Sequence, residues 1–181
     1  KIGQAWTRFY KYSKEVYNNP YIALATKVCL LKTEVIEVML YGCVTWTIAH
    51  DNFGAVREAH RGFLLRCLNK HTSSRSASDY HMLPYHEILE RTSCECIEAT
   101  MMKRTPLHAG RVVRMHNEHL PNIVMRGVMV GGKTRAGQPA RRLQHSTTDY
   151  CLYFRENATS WTQVAQDVFE WVRIVEKGAN M

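Results

Sequence analysis

Along most of the chain, apolar residues recur at spacings of three and four, the period of a helix buried on one side. From Ile2 to Tyr17 the set is Ile2, Ala5, Trp6, Phe9, Ser13, Val16 and Tyr17, with Ser13 the one weak position. It predicts an amphipathic helix, broken by Asn18, Asn19 and Pro20. A second pattern through Leu24, Val28, Leu31, Val35, Val38 and Met39 predicts a well-buried helix ending near Gly42, with Lys27, Lys32, Glu34 and Glu37 on its other faces. Asp51 or Asn52 can cap a third helix by accepting backbone N–H bonds, with Phe53, Val56, His60, Phe63, Leu64, Cys67 and Leu68 facing inward. On that face His60 reads as a core-edge residue rather than a ligand.

Between Lys70 and Tyr80 the chain is polar and has little to bury, which predicts a flexible linker. Pro84 suits the first turn of a fourth helix, where its missing N–H leaves no hydrogen bond unmade. Tyr85, Ile88, Leu89, Cys96 and Ala99 continue that helix towards Met102, and Pro106 interrupts or kinks it. Residues 107 to 130 read as one helix or two, extending to about Met125. Gly131, Gly132, Gly137 and Pro139 predict a loop over residues 131–140. A last helix starts at Ser160 as cap, runs through Trp161, Val164, Ala165, Val168, Trp171, Val172 and Val175, and ends at Gly178. With no strand pair or repeat, the expected fold is all-α. It is a helical bundle over residues 1–70, a linker over 71–82, and a smaller basic helical and loop subdomain over 83–181.

Composition changes this picture little: 181 residues, 45% hydrophobic and 22% charged, describe an ordinary globular chain. No apolar run is long enough to span a bilayer and no signal-peptide pattern opens the chain, so an intracellular protein, nuclear or cytoplasmic, is expected. The chain starts at Lys1 inside a periodic pattern, which reads as a piece of a longer protein. Charge adds more. The net +8 sits in residues 101–142, where Lys103, Arg104, Arg111, Arg114, Arg126, Lys133, Arg135, Arg141 and Arg142 are opposed only by Glu118. Such a concentration suits a polyanion, although a basic face can also serve solubility alone. Seven of the nine are arginines, whose planar fork matches phosphate oxygens in pairs.

Candidate chemistry is sparse. The four aspartates Asp51, Asp79, Asp149 and Asp167 are dispersed, unlike the clustered carboxylates that hold two catalytic metal ions. Cys94, Cys96, His108, His116 and His119 lie close in sequence, but their spacing does not match zinc knuckles or fingers, and on a helix the two thiols would diverge. No nucleophile elbow is present, the six cysteines suggest no disulfide framework, and neither a cofactor nor a small-molecule substrate is expected. Of the tryptophans Trp6, Trp46, Trp161 and Trp171, all but Trp46 fall on apolar helix faces, where core packing outweighs base stacking.

The run Met39-Leu40-Tyr41-Gly42-Cys43-Val44-Thr45-Trp46 resembles the LLYG-x-x-TW signature that follows the polymerase core in LINE-type (non-LTR) retrotransposon reverse transcriptases. In the same order as in that family come Ile2-Gly3-Gln4-Ala5-Trp6, Leu64-Leu65-Arg66-Cys67-Leu68, Ala109-Gly110-Arg111-Val112-Val113-Arg114-Met115 and Leu120-Pro121. Residues 131–143 are similar to its G-K-x-x-x-G-R-P-x-x-R-W segment, with Gln138 in place of an arginine and Leu143 in place of a tryptophan. Those two departures remove one cation and one ring from any nucleic-acid contact there.

The resemblance covers nearly the whole chain and implies a thumb-like bundle followed by a post-polymerase region, with the catalytic palm upstream of Lys1 and no polymerase activity in these residues. It implies RNA or DNA as partner, held through the phosphate backbone by Arg111, Arg114, Arg126, Lys133, Arg135, Arg141 and Arg142, and an upstream polymerase core as the other partner. The alternatives are a helical protein-interaction module and an inert remnant of a retroelement.

Overall fold

A computed structural model describes residues 1–46, 53–69, 83–126, 147–149, 151 and 161–179. The protein is all-α, with no strand among the described residues. It forms two compact units, Lys1–Tyr41 with Ile48–Glu98, and Gly42–Thr47 with Ala99–Met181.

In the first unit, α1 (Ile2–Tyr12) passes into a π-helical turn, Ser13–Tyr17. The Asn18 N–H reaches back five residues to the Ser13 carbonyl at 2.7 Å, the wider hydrogen-bond spacing of a π-turn. The widening starts at Ser13, where the apolar pattern is weakest, and it delivers Tyr17 to the interior, stacked on Phe9 at 4.1 Å between ring centroids. The second expected helix is built similarly: α2 (Leu24–Leu30), a π-turn (Leu31–Ile36) and α3 (Glu37–Met39). Leu31, Val35, Ile36 and Met39 are buried. Gly42 then takes φ +75°, a left-handed conformation that glycine adopts without steric penalty.

Lys27, expected on an outer face, is fully buried. Its Nζ donates to the Tyr17 carbonyl at 3.0 Å, so the ammonium meets the carbonyl end of the π-turn instead of water. Burial pulls its pKa down, opposed by the nearby Cys67.

Helix α4 (Phe53–Asn69) buries Val56, His60, Phe63, Leu64, Cys67 and Leu68 from the expected face, and also Ala59 and Leu65. Phe63 is the hub of an aromatic cluster, 4.1 Å from Trp6 and 5.3 Å from Phe9 between centroids.

The fourth helix departs from expectation in two places. Helix α5 (Tyr85–Thr92) stops at Ser93, which holds φ 49° and ψ 41°, and a new helix, α6 (Ile97–Arg114), begins beyond it. The left-handed Ser93 lets the Cys94 N–H return to the Leu89 carbonyl at 3.0 Å, closing the helix end as a glycine normally would. Pro106, expected to interrupt or kink the run, lies inside α6, which continues through it.

The unit boundary also differs. Residues 71–82, expected as the linker, lie outside the described residues, and α5 belongs to the first unit instead of the basic subdomain. Ile88 of α5 is fully buried, and polar contacts join α4 to α5 and its flanks: His60 Nδ1 lies 2.7 Å from the Tyr85 hydroxyl, Arg61 donates to the Leu83 carbonyl at 3.2 Å, and Arg57 pairs with Glu98 of α6. The Tyr85 oxygen also accepts from the Ile97 N–H at 3.2 Å, so one hydroxyl bridges α4 and the start of α6.

The core of the second unit joins Ala109, Val112 and Val113 of α6 to Met125 of α7 (Leu120–Arg126), Cys151, Trp161 of α8 (Trp161–Val164), Ala165, and Trp171 and Val175 of α9 (Val168–Ala179). Residues 107–126 are thus two helices, linked where Asn122 Nδ2 donates to the Met115 carbonyl at 2.7 Å. The single helix expected from Trp161 to Gly178 is also two. Asp167 Oδ1 accepts the N–H groups of Phe169 at 2.9 Å and Glu170 at 3.1 Å, an N-cap that starts a helix in mid-pattern. Gly178, expected to end the helix, is buried in its final turn.

Candidate nucleic-acid interface

Helix α6 carries the basic residues that the structure describes best. At about 100° per residue, Lys103, Arg104, Arg111 and Arg114 fall within one arc of about 100°, spread over about 16 Å of axis. The opposite arc holds the buried Met101, Thr105, Ala109, Val112 and Val113. No carboxylate follows Glu98 in this helix. Leu107, partly buried against the core, falls within the cation arc as well, so the two faces of α6 are not cleanly separated.

Their surroundings differ. Arg111 is exposed, whereas Lys103, Arg104 and Arg114 are half-buried. Arg114 donates through one guanidinium nitrogen to the Ala165 carbonyl. Expected as a pure phosphate contact, it also joins α6 to the chain between α8 and α9, and that bond aims the rest of its fork. Arg111 and Arg114 occupy the last turn of α6, where cations favour the helix by meeting its carbonyl end even with no ligand present. Burial, with the Arg111 charge beside it, pushes the His108 pKa below the usual imidazole value.

Of the other expected contacts, Arg126 ends α7 with its side chain outside the described residues, and Lys133, Arg135, Arg141 and Arg142 lie outside them altogether. Lys103 and Arg104 were counted in the basic stretch but not among the contact residues. Their spacing to Arg111 and Arg114 was visible in the sequence, but treating Pro106 as a break divided the stripe in two.

The strongly perturbed groups elsewhere are buried in the first unit. His60 is pushed down to about 4 by burial, with Lys32 contributing. Cys67 is pushed up to about 12 by burial, which keeps it a thiol at neutral pH. Cys94 and Cys96 lie in and beside the α5–α6 break, not on a helix as their divergence had assumed. Among the described residues no group of three histidine, cysteine or carboxylate side chains is placed to hold a metal ion. Nor is any described helix long and apolar enough to cross a membrane.

Comparison with known proteins finds no matching family model, no similar curated protein and no similar solved structure.

Proposed function

We propose that this chain is a non-catalytic nucleic-acid-holding segment from the C-terminal region of a LINE-type reverse transcriptase, gripping RNA or DNA through its phosphates. The observation that carries the reading is the shared arc of Lys103, Arg104, Arg111 and Arg114 on α6, with Arg111 exposed at its C-terminal end. A stripe of this length spans several phosphates of one strand, and arginines suit their paired oxygens. The ordered family-like motifs agree with it: Ala109-Gly110-Arg111-Val112-Val113-Arg114 forms the last third of that helix.

The test is the affinity of the chain for duplex and single-stranded RNA and DNA across a salt series, before and after Arg111→Gln. Binding that weakens steeply with salt, together with a slope lowered by about 1 in the variant and similar losses on unrelated sequences, is the expected result. A folded chain with no affinity would end the reading.

One observation favours a protein-interaction module instead. Leu120 is 71% exposed and Val124 67% exposed on α7, and Phe169 is 88% exposed on α9, more apolar surface than isolated exposed side chains usually present. Self-association or partner capture that survives high salt, with no nucleic-acid binding, would move the assignment there.

A further inference from the structure

The first unit carries a ring system that core packing does not explain. Trp6 lies against Phe63 within the aromatic cluster, and a Cβ at Gly62 would come within 3.3 Å of its six-membered ring. Glycine at that position lets the indole settle close to α4. The Arg66 guanidinium covers Trp6 at 4.5 Å from the ring, and its NH1 is held by the Gly62 carbonyl at 3.3 Å. Tyr10, one turn along α1, stacks on the same indole at 5.8 Å and 30°, yet remains 58% exposed.

An exposed tyrosine alone means nothing, because much of any protein surface is apolar. Tyr10 differs in that the ring is already oriented. Trp6 backs it, Arg66 and Phe63 brace Trp6, and so little side-chain freedom remains to be lost when a flat ligand lies against it. The charge around it is mostly positive. Lys1, Arg8, Lys11 and Lys14 stand against a single carboxylate, the exposed Glu15, in the first fifteen positions. Arg8 pairs with Glu34 at 3.7 Å, while Lys11 and Lys14 are exposed on the same helix and turn as Tyr10. An oriented ring beside a local excess of cations is the combination that holds unpaired nucleotides, the base on the ring and the phosphates on the cations. A protein partner would need apolar neighbours to extend the ring, and this helix presents lysines instead.

We propose that Tyr10, backed by Trp6 and Arg66, is a stacking platform for an unpaired base of single-stranded RNA or DNA, with Lys11 and Lys14 meeting its phosphates. The proposal rests on the nucleic-acid-holding function above and adds a base-dependent contact to a phosphate-dependent one.

The experiment compares the affinity of the full chain for a short single-stranded oligonucleotide and for its abasic counterpart at one salt concentration, by fluorescence anisotropy. Stacking of one base predicts a preference of roughly tenfold for the oligonucleotide with bases. Tyr10→Leu, which keeps an apolar side chain against Trp6, should abolish that preference and leave abasic binding intact, and Tyr10→Phe should retain it. Melting curves confirm that each variant is folded, and Tyr10→Ala serves as a second ring-free variant if Tyr10→Leu is not. The platform is overturned if the preference survives loss of the ring, if no preference exists, or if both oligonucleotides weaken equally. In those cases the phosphate-holding function stands, whereas absence of binding to either oligonucleotide overturns both.

Discussion

Each unit of this protein seats a tryptophan against a helical glycine, and the two seats are built differently. In the second unit, Trp171 is buried against α6, where a Cβ at Gly110 would lie 2.3 Å from Nε1 and 2.6 Å from Cδ1. Its indole N–H donates to the Pro106 carbonyl at 2.9 Å, and Trp161 stacks on it at 5.7 Å. In the first unit, Trp6 meets Gly62 at 3.3 Å and is only half-buried. One glycine admits a core side chain that has nowhere else to go. The other supports a ring with an open side, and a ring that reaches the surface can serve a ligand as well as the fold.

Substitution at the two glycines should separate them most clearly. Gly110→Ala forces the indole out of its seat and breaks its bond to Pro106, so a loss of roughly 3 kcal/mol is expected, combining overpacking with a lost buried hydrogen bond. Denaturant unfolding followed by tryptophan fluorescence measures it, and a loss below about 1 kcal/mol would mean that the notch does not constrain the second unit.

Acid should act on the first unit. Burial holds His60 down to about 4 in the folded chain, against the ordinary imidazole value of about 6.5 in the unfolded one. In that window the unfolded chain binds a proton that the folded chain refuses, so stability is complete above about pH 6.5 and falls as the pH drops towards 4. The full effect is up to roughly 3 kcal/mol. Melting temperatures across that range should fall for the wild type and fall less for His60→Gln; parallel curves would remove His60 as the cause.

Gly62→Ala pushes on a ring edge that can shift outward, so a change of about 1 kcal/mol or less is expected. An effect as large as that at Gly110 would show that Trp6 is as confined as Trp171. The smallest effect is a gain: Ser93→Gly relieves a left-handed serine but gives back chain entropy, leaving about 0.5 kcal/mol. A melting temperature that falls would indicate that the Ser93 side chain contributes more than its backbone strain removes.

Much of the helical content was legible because burial on one side leaves a period of three to four, and α1, α4 and the Gly42 stop follow that signal closely. The breaks were less so. Asp167-Val168-Phe169-Glu170 has the spacing of a helix start, but the unbroken apolar pattern from Trp161 to Val175 concealed it. Ser93 carries no comparable signal, because a left-handed serine is dictated by the elements on either side. At the candidate interface Arg111 and Arg114 were identified from charge alone, whereas their alignment with Lys103 and Arg104 depended on α6 continuing through Pro106. Tyr10 was passed over because a periodicity argument sorts residues into inside and outside and has no category for a ring braced at the boundary.

By itself the sequence determined the helical class, the buried stripe of each long helix and the region of excess positive charge, since these follow from local periodicity and composition. The tertiary structure decided what depends on neighbours distant in the chain. It placed Lys27 under the Tyr17 carbonyl, joined α5 to α4 through His60 and Tyr85, and set Trp171 into the notch at Gly110. A buried ammonium, a bridging hydroxyl and a missing Cβ have their energies set by the atoms opposite them, and no spacing along the chain specifies which atoms those will be.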